Sequence, residues 1–201
     1  MKTPTQKQHI RQLIRLKRKQ LSPSQQAQKA SQLLNVIMQQ PIFMNSQHIA
    51  CYWPFEGEIS PLPLLEQAIA MKKQCYLPVL NRSKPYDLLF VHYQLGDPLK
   101  LNHYGILEPY LKLHPCIPAQ NLDLVLTPLI AFNDEGKRLG MGGGYYDRTF
   151  AFFGTQSKPK KPYLLGLAYE FQRVDDLPIS AFDIPLQGIA TEERFLATFE
   201  D

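Results

Sequence analysis

Four glycines fall within five positions, Gly140, Gly142, Gly143 and Gly144, and Arg138 and Asp147 bracket them in the run RLGMGGGYYDR. Glycines bring no Cβ between ligand and backbone, and they permit positive φ. A helix beginning near Gly144 would aim its free N–H groups and the positive end of its dipole at whatever fills the loop. Arg138 adds a forked guanidinium suited to two phosphate oxygens. The chemistry such a loop supports is anion binding, phosphate above all. Two familiar phosphate loops do not fit. A Walker A loop ends in Gly-Lys-Ser/Thr, whereas these glycines run into Tyr145-Tyr146-Asp147, and a dinucleotide fingerprint needs glycine where Tyr145 stands. A plain surface turn, with Asp147 as a mere first-turn charge, leaves the bracketing arginine and aspartate without a purpose. The loop, Arg138 included, is expected to be exposed.

A second set of cations lies near the N-terminus. Lys7 and Arg11 are four apart, so they share one helix face, and Arg15 and Arg18 extend the stripe. A cation in a first helical turn opposes the dipole, so Lys7 calls for an anionic partner. Arg15, Lys17, Arg18 and Lys19 read as a solvated basic surface. Residues 1–55 hold eight of the 22 Lys and Arg and none of the 18 Asp and Glu. A concentration of this kind points to a nucleotide, a polyanionic substrate or nucleic acid.

The elements that must position these groups follow from periodicity. Ile10, Leu13, Ile14 and Leu21 space a helix over 5–20, and Ser22-Pro23-Ser24-Gln25 starts a second that runs to about Gln40. Strands are expected at Ile49–Phe55, Cys75–Leu80, Leu88–Tyr93, Leu122–Phe132, Tyr163–Tyr169 and Gly188–Thr191. Helices are expected at Leu62–Lys73 and Tyr145–Phe153. Strands alternating with helices make an α/β protein with a largely parallel sheet. At 201 residues one domain is expected over 1–201, with residues 1–40 as a basic helical segment packed on it. Trp53 and Glu58 lie at and beyond a strand end, where such sheets place ligands. Trp53 suits packing on a flat ring, or the core, and Glu58 suits accepting hydrogen bonds from ring nitrogens.

The exclusions are few. No apolar run approaches the roughly 18 residues of a membrane helix, and no secretory h-region opens the chain. The three cysteines, Cys51, Cys75 and Cys116, form no C-x-x-C and read as free thiols of a reducing compartment. No His or Cys spacing suits zinc.

The loop and its surroundings resemble the 5-formyltetrahydrofolate cyclo-ligase family. The resemblance runs through Asp123-Leu124 to Pro128, Phe132, Gly136, Arg138-Leu139-Gly140, Gly142 and Gly144-Tyr145-Tyr146-Asp147. Lys7-x-x-Ile10-Arg11, Glu58-Ile59 and Gly105-Ile106-Leu107-Glu108-Pro109 support it in the right order, so it covers essentially the whole chain. It implies an α/β three-layer sandwich with a mixed, largely parallel sheet, resembling the sugar-phosphate isomerase and CoA-transferase group, with N-terminal helices. It implies conversion of 5-formyltetrahydrofolate to 5,10-methenyltetrahydrofolate with ATP and Mg²⁺, releasing ADP and phosphate. Phosphorylation turns the formyl oxygen into a leaving group, and N10 then closes the ring. Such chemistry asks for positioning and charge rather than a nucleophile, and the chain has no G-x-S-x-G elbow.

By the same resemblance, Lys7, Arg11, Arg138 and the segment Leu139, Gly140, Met141, Gly142, Gly143, Gly144, Tyr145 and Tyr146 bind ATP. Arg11, Trp53, Glu58, Met141, Gly142, Gly143, Gly144 and Tyr145 meet the folate. Arg138 and Glu58 are the catalytic pair, and Asp147 with Asp183 ligates Mg²⁺. The chain departs from the family pattern at Pro61, Met141, Gly143 and Gln187, the last standing where a second C-terminal Asp is common. A cytoplasmic monomer is expected, with ATP and the folate as partners and neither membrane nor nucleic acid. Two other readings use the same residues. One is a nucleic-acid-binding protein built on the acid-free N-terminus, with steeply salt-dependent affinity. The other is an isomerase or transferase of a phosphorylated small molecule, which has no use for Asp147 as a metal ligand.

Overall fold

Two capping boxes set the first helices in a computed structural model that describes residues 5–155, 161–178 and 183–198. Thr5 and Gln8 exchange side-chain-to-backbone hydrogen bonds at the start of α1 (Gln6–Lys19), and Ser22 and Gln25 do the same for α2 (Pro23–Met38). A short α3 (Pro41–Asn45) precedes β1 (His48–Ala50). Then come α4 (Leu62–Ala70), β2 (Gln74–Leu80), β3 (Leu88–His92), β4 (Leu99–Leu101), β5 (Leu107–Pro109) and β6 (Cys116–Ile117). The second half contains β7 (Leu124–Pro128), β8 (Ala131–Phe132), β9 (Arg138–Leu139), α5 (Tyr145–Thr149), β10 (Tyr163–Leu167), β11 (Gly188–Ala190) and β12 (Phe195–Ala197).

The described residues form an eight-stranded sheet in the order β12-β11-β10-β7-β1-β2-β3-β6. The five strands from β11 to β2 run parallel, β12 and β3 run antiparallel to them at either side, and β6 pairs antiparallel with β3 at the edge. Side chains alternate across it as the pleat requires. Leu124 and Leu126 of β7 join Ile49, Cys75 and Leu165 in one cluster, whereas Val125 joins Ala50, Tyr76 and Leu164 in another. Both faces are therefore covered, which is why these strands are apolar runs rather than alternating ones. Helices α2 and α4 pack on the first face, and Phe150, just after α5, packs in the cluster on the second. The α/β reading with a mixed, mostly parallel sheet holds.

Two expected strands end early, one for a local reason and one because of a distant partner. The run expected at Ile49–Phe55 leaves the sheet after Ala50, because Pro54 and a turn with positive φ at Glu56 (48°) and Gly57 (71°) bend it back. The run expected at Leu122–Phe132 breaks after Pro128. There the Leu129 and Ile130 carbonyls accept the Gln172 side-chain amide at 2.9 and 2.8 Å, and the chain continues as the separate β8–β9 hairpin. That hairpin carries Arg138. Helix α1 lays Ile10 and Ile14 on it, against Ile130, Ala131 and Leu139. Cys51 and Cys75 are buried and Cys116 exposed, all as free thiols. No helix among the described residues is long and apolar enough to cross a membrane.

Ile14 is 2% exposed, so Ile14→Ala should lower stability by about 2–4 kcal/mol through lost burial and a residual cavity. Urea unfolding measures this, and a loss below about 1 kcal/mol would show that α1 is not held through this face.

Candidate active site

The parallel strands end on one side of the sheet, and the connections leaving them enclose a cleft of about 570 Å³. Tyr52, Trp53 and Glu58 follow β1, Pro78 and Leu80 close β2, and Pro128 closes β7. Strand-end placement is the rule for ligand sites in such sheets. Lys7, Arg11, Asp183 and every residue from Arg138 to Asp147 line the same cleft. All the site residues expected from the sequence thus share one wall or another of a single cavity.

The glycine loop is clamped by α1. Arg11 Nε donates to the Gly140 carbonyl at 2.9 Å, and its guanidinium lies 3.5 Å from where a Cβ on Gly142 would stand. Gly142 has φ of 108° and Gly144 of 68°, values that a side chain would strain. Met141, Gly142 and Gly143 are exposed and face the cleft. Lys7 lies 3.8 Å from Asp183 across the rim. Burial lowers the Arg11 pKa from its usual value, Arg15 adds to that, and Asp183 offsets part of it. The helix after the glycines is shorter than expected: α5 spans five residues with Gly144 as its N-cap, and a 3-10 turn follows at Ala151–Thr155. The loop therefore offers local N–H groups rather than the dipole of a long helix.

Arg138 departs from expectation. It is buried rather than exposed, with Nη2 donating to Asp147 Oδ1 at 2.5 Å and Nη1 to the Ile184 carbonyl at 2.5 Å. The Ile184 N–H donates to the same Asp147 oxygen at 3.1 Å. Arg138 thus ties the end of the loop to the segment carrying Asp183. Asp147 and Asp183 line the cleft together, and no group of three or more His, Cys, Asp or Glu suited to a metal occurs among the described residues. Gln187 lies elsewhere, its side chain accepting from Leu164 N–H at 2.8 Å beside β10.

Glu58 sits at the dry end. It is 6% exposed, and Oε2 accepts the Phe55 N–H at 3.1 Å while Oε1 is buried without a hydrogen-bond partner. Burial pushes its carboxyl up to about 7, with Arg18 as the main opposing influence. Pro61 does not disturb this loop. The buried Ile59 carbonyl takes the Tyr52 hydroxyl at 2.6 Å, and Pro61 caps α4. Trp53 serves both of its readings, packing on the core edge-to-face with Tyr93 at 6.4 Å while lining the cleft. Tyr146 lines the cleft and packs on Phe150.

Tyr104 escaped the sequence reading, and Arg18, expected on a solvated basic surface, is buried. Tyr104 faces Tyr145 across the cleft edge-on at 5.9 Å, their hydroxyls 3.1 Å apart. Burial and the Tyr104 hydroxyl raise the Tyr145 phenol to about 12. Tyr104 directly precedes the Gly105–Pro109 run, which was the available signal. Arg18 is buried under Glu58, and the signal was its place four residues beyond Ile14 and eight beyond Ile10.

An α/β sheet whose glycine loop, helix-borne cations and buried carboxylate meet at its strand ends is the frame of a phosphate-handling enzyme. The chain matches the sequence profile of the 5-formyltetrahydrofolate cyclo-ligase family over residues 3–192. It is 42% identical over 190 residues to the 5-formyltetrahydrofolate cyclo-ligase of Haemophilus influenzae, covering 92% of this chain and 97% of that protein. It is 37% identical over 182 residues to the enzyme of the same name from Escherichia coli K12, with 90% and 98% covered. Its fold matches the 5,10-methenyltetrahydrofolate synthetase of Aquifex aeolicus with a TM-score of 0.82 at 27% identity, covering 98% of this chain and 95% of that one. The chain belongs to the 5-formyltetrahydrofolate cyclo-ligase family.

Two predictions follow from the buried charges. Arg138→Ala should cost about 2 kcal/mol of stability by stranding Asp147 and the Ile184 carbonyl, a value below that of a fully buried pair because Asp147 is part-exposed; an unchanged melting temperature would contradict it. Glu58 titrates higher folded than its usual 4.5. Its contribution to stability is therefore full below about pH 4.5 and lost as pH rises through about 7. Glu58→Gln should flatten the fall in stability across that window, measured as the urea midpoint against pH, and an unaltered slope would refute the assignment.

Proposed function

We propose that this cleft carries out the family's reaction on 5-formyltetrahydrofolate with ATP as phosphoryl donor. The observation that carries the reading is the meeting, in one cleft, of Lys7, Arg11 and the glycine loop with the buried acceptor Glu58. The formyl oxygen attacks the γ-phosphorus, and ADP leaves. N10 then adds to the formyl carbon and loses its proton, and the oxygen departs with phosphate, leaving the 5,10-methenyl ring. The protein's task is to hold two reactants in line and to balance charge.

On this reading Lys7 and Arg11 pair with the phosphates, and the N–H groups from Leu139 to Tyr146 complete the cradle, without basic side chains at Met141 and Gly143. Arg138 keeps the loop end and Asp147 in place while adding positive charge to the cleft wall. Trp53 and Tyr145 take the faces of the folate rings, Arg11 reaches both ligands, and Glu58 accepts from ring nitrogens. Asp147 and Asp183 fit Mg²⁺, which needs only one or two carboxylates beside phosphate oxygens and water. When bound, that ion would neutralise phosphate charge.

Purified protein with 5-formyltetrahydrofolate, ATP and Mg²⁺ should develop the near-UV absorbance of the methenyl product. Absence of an ATP-dependent signal from folded protein would sink the reading. Arg11→Ala, which loses a charge-assisted phosphate contact, should raise the KM for ATP about tenfold or more. Lys7→Ala should do the same, and an unchanged KM in both would remove the phosphate role from α1.

A further inference from the structure

Arg18 is 2% exposed and does not line the cleft, yet it lies directly under it. Nη2 donates to the Leu129 carbonyl at 2.6 Å, just past the end of β7, and Nη1 stands 4.0 Å from Glu58 Oε1. The turn that delivers Glu58 is moulded to this side chain. Gly57 has φ of 71°, and a Cβ there would stand 3.3 Å from Arg18 Cβ. Arg15 holds the neighbouring Glu56 at 2.9 Å.

Packing does not explain an arginine here. Ile10, Ile14 and Arg18 share one face of α1, and an apolar residue would complete that stripe without a buried cation. The separation is informative. A direct bidentate pair would consume both carboxylate oxygens, whereas at 4.0 Å the guanidinium lends charge and leaves Oε1 with no hydrogen-bond partner. We propose that Arg18 is a positioning residue for Glu58, seating the carboxylate and keeping one oxygen ready to accept from the substrate. This rests on the reading that Glu58 meets the folate.

The charged and titratable groups around Glu58 are few. Arg15 and Arg18 face it from α1 and Glu56 from its own turn. Tyr52, Tyr146 and Tyr169 interact with it from beyond β1, from α5 and from beyond β10, each with its phenol pushed up by burial. The tyrosines are neutral near pH 7, so Arg18 is the largest influence holding the carboxyl down against burial.

The test uses full-length protein with carbon-13-labelled glutamate and follows the Glu58 carboxyl through its pH titration, with Glu58→Gln to assign the signal. Arg18→Met should raise its midpoint by about one pH unit or more. The acid limb of kcat/KM should move up with it, and the KM for the folate should rise about tenfold while the KM for ATP holds. In a Glu58→Gln background, Arg18→Met should add no further loss of turnover. An unmoved titration in the folded variant, or an equal loss in that background, overturns the proposal. Should Arg18→Met fail to fold, Arg18→Lys carries the test: it keeps the charge without the fork, so a folate KM equal to that of the wild type overturns the seating role. A wild-type protein that lacks turnover while Arg18→Met still shifts Glu58 would sink the functional reading alone and uphold the pairing.

Discussion

Ile10 and Ile14 of α1 press on Ile130, Ala131 and Leu139 of the β8–β9 hairpin, and the cleft is assembled around that contact. The hairpin ends at Leu139, directly before the first glycine, so its position sets where the loop begins. The same helix brings Arg11 to the loop and Lys7 to Asp183 at the cleft rim from one half, and Arg15 and Arg18 to the Glu58 turn from the other. One apolar interface therefore fixes both the cleft-lining cations and the support of the carboxylate. The sheet contributes strand ends, and α1 closes what those ends leave open.

The parts legible in the sequence were those governed by local rules. Apolar spacing from Ile10 to Leu21 placed the first helix, the Ser22/Gln25 capping pair placed the second, and apolar runs placed the parallel strands. The glycines placed the loop. Several of the misreadings involve partners far away in the chain. Nothing near Pro128 announces that Gln172 will take the Leu129 and Ile130 carbonyls and stop the strand. Arg138 looked exposed because its anchors, Asp147 and the Ile184 carbonyl, arrive from later segments. Arg18 looked solvated because charge was weighed ahead of its place on the Ile10–Ile14 face. A basic residue continuing an apolar stripe is itself a signal of a buried counter-charge.

The basic N-terminal segment made nucleic acid a reasonable alternative partner, and the structure shows where its charge goes. Lys7 and Arg11 line the cleft, Arg15 pairs with Glu56, Arg18 is buried beside Glu58, and Lys29 reaches Glu192 at 2.5 Å. Lys17 lies over the Phe171 ring at 5.9 Å. A surface that reads a phosphate backbone keeps its cations free and arrayed. Here Lys7, Arg11, Arg15, Arg18 and Lys29 turn toward carboxylates or the cleft, whereas Lys17 and Lys19 are exposed.

That cavity has two unlike ends, and the difference suits the proposed chemistry. Met141, Gly142 and Gly143 are exposed, offering backbone N–H groups to an anion that arrives hydrated and leaves as a smaller one. Solvent-facing donors suit such traffic without holding the product. Glu58 is 6% exposed, and its unpartnered oxygen is costly to leave unsatisfied. A buried acceptor of this kind discriminates strongly, because a ligand without a matching donor leaves it unpaired. On the proposed reading, recognition of the ring system falls to the dry end and phosphate turnover to the wet one. Helix α1, which spans both, is the element that keeps them at a fixed separation.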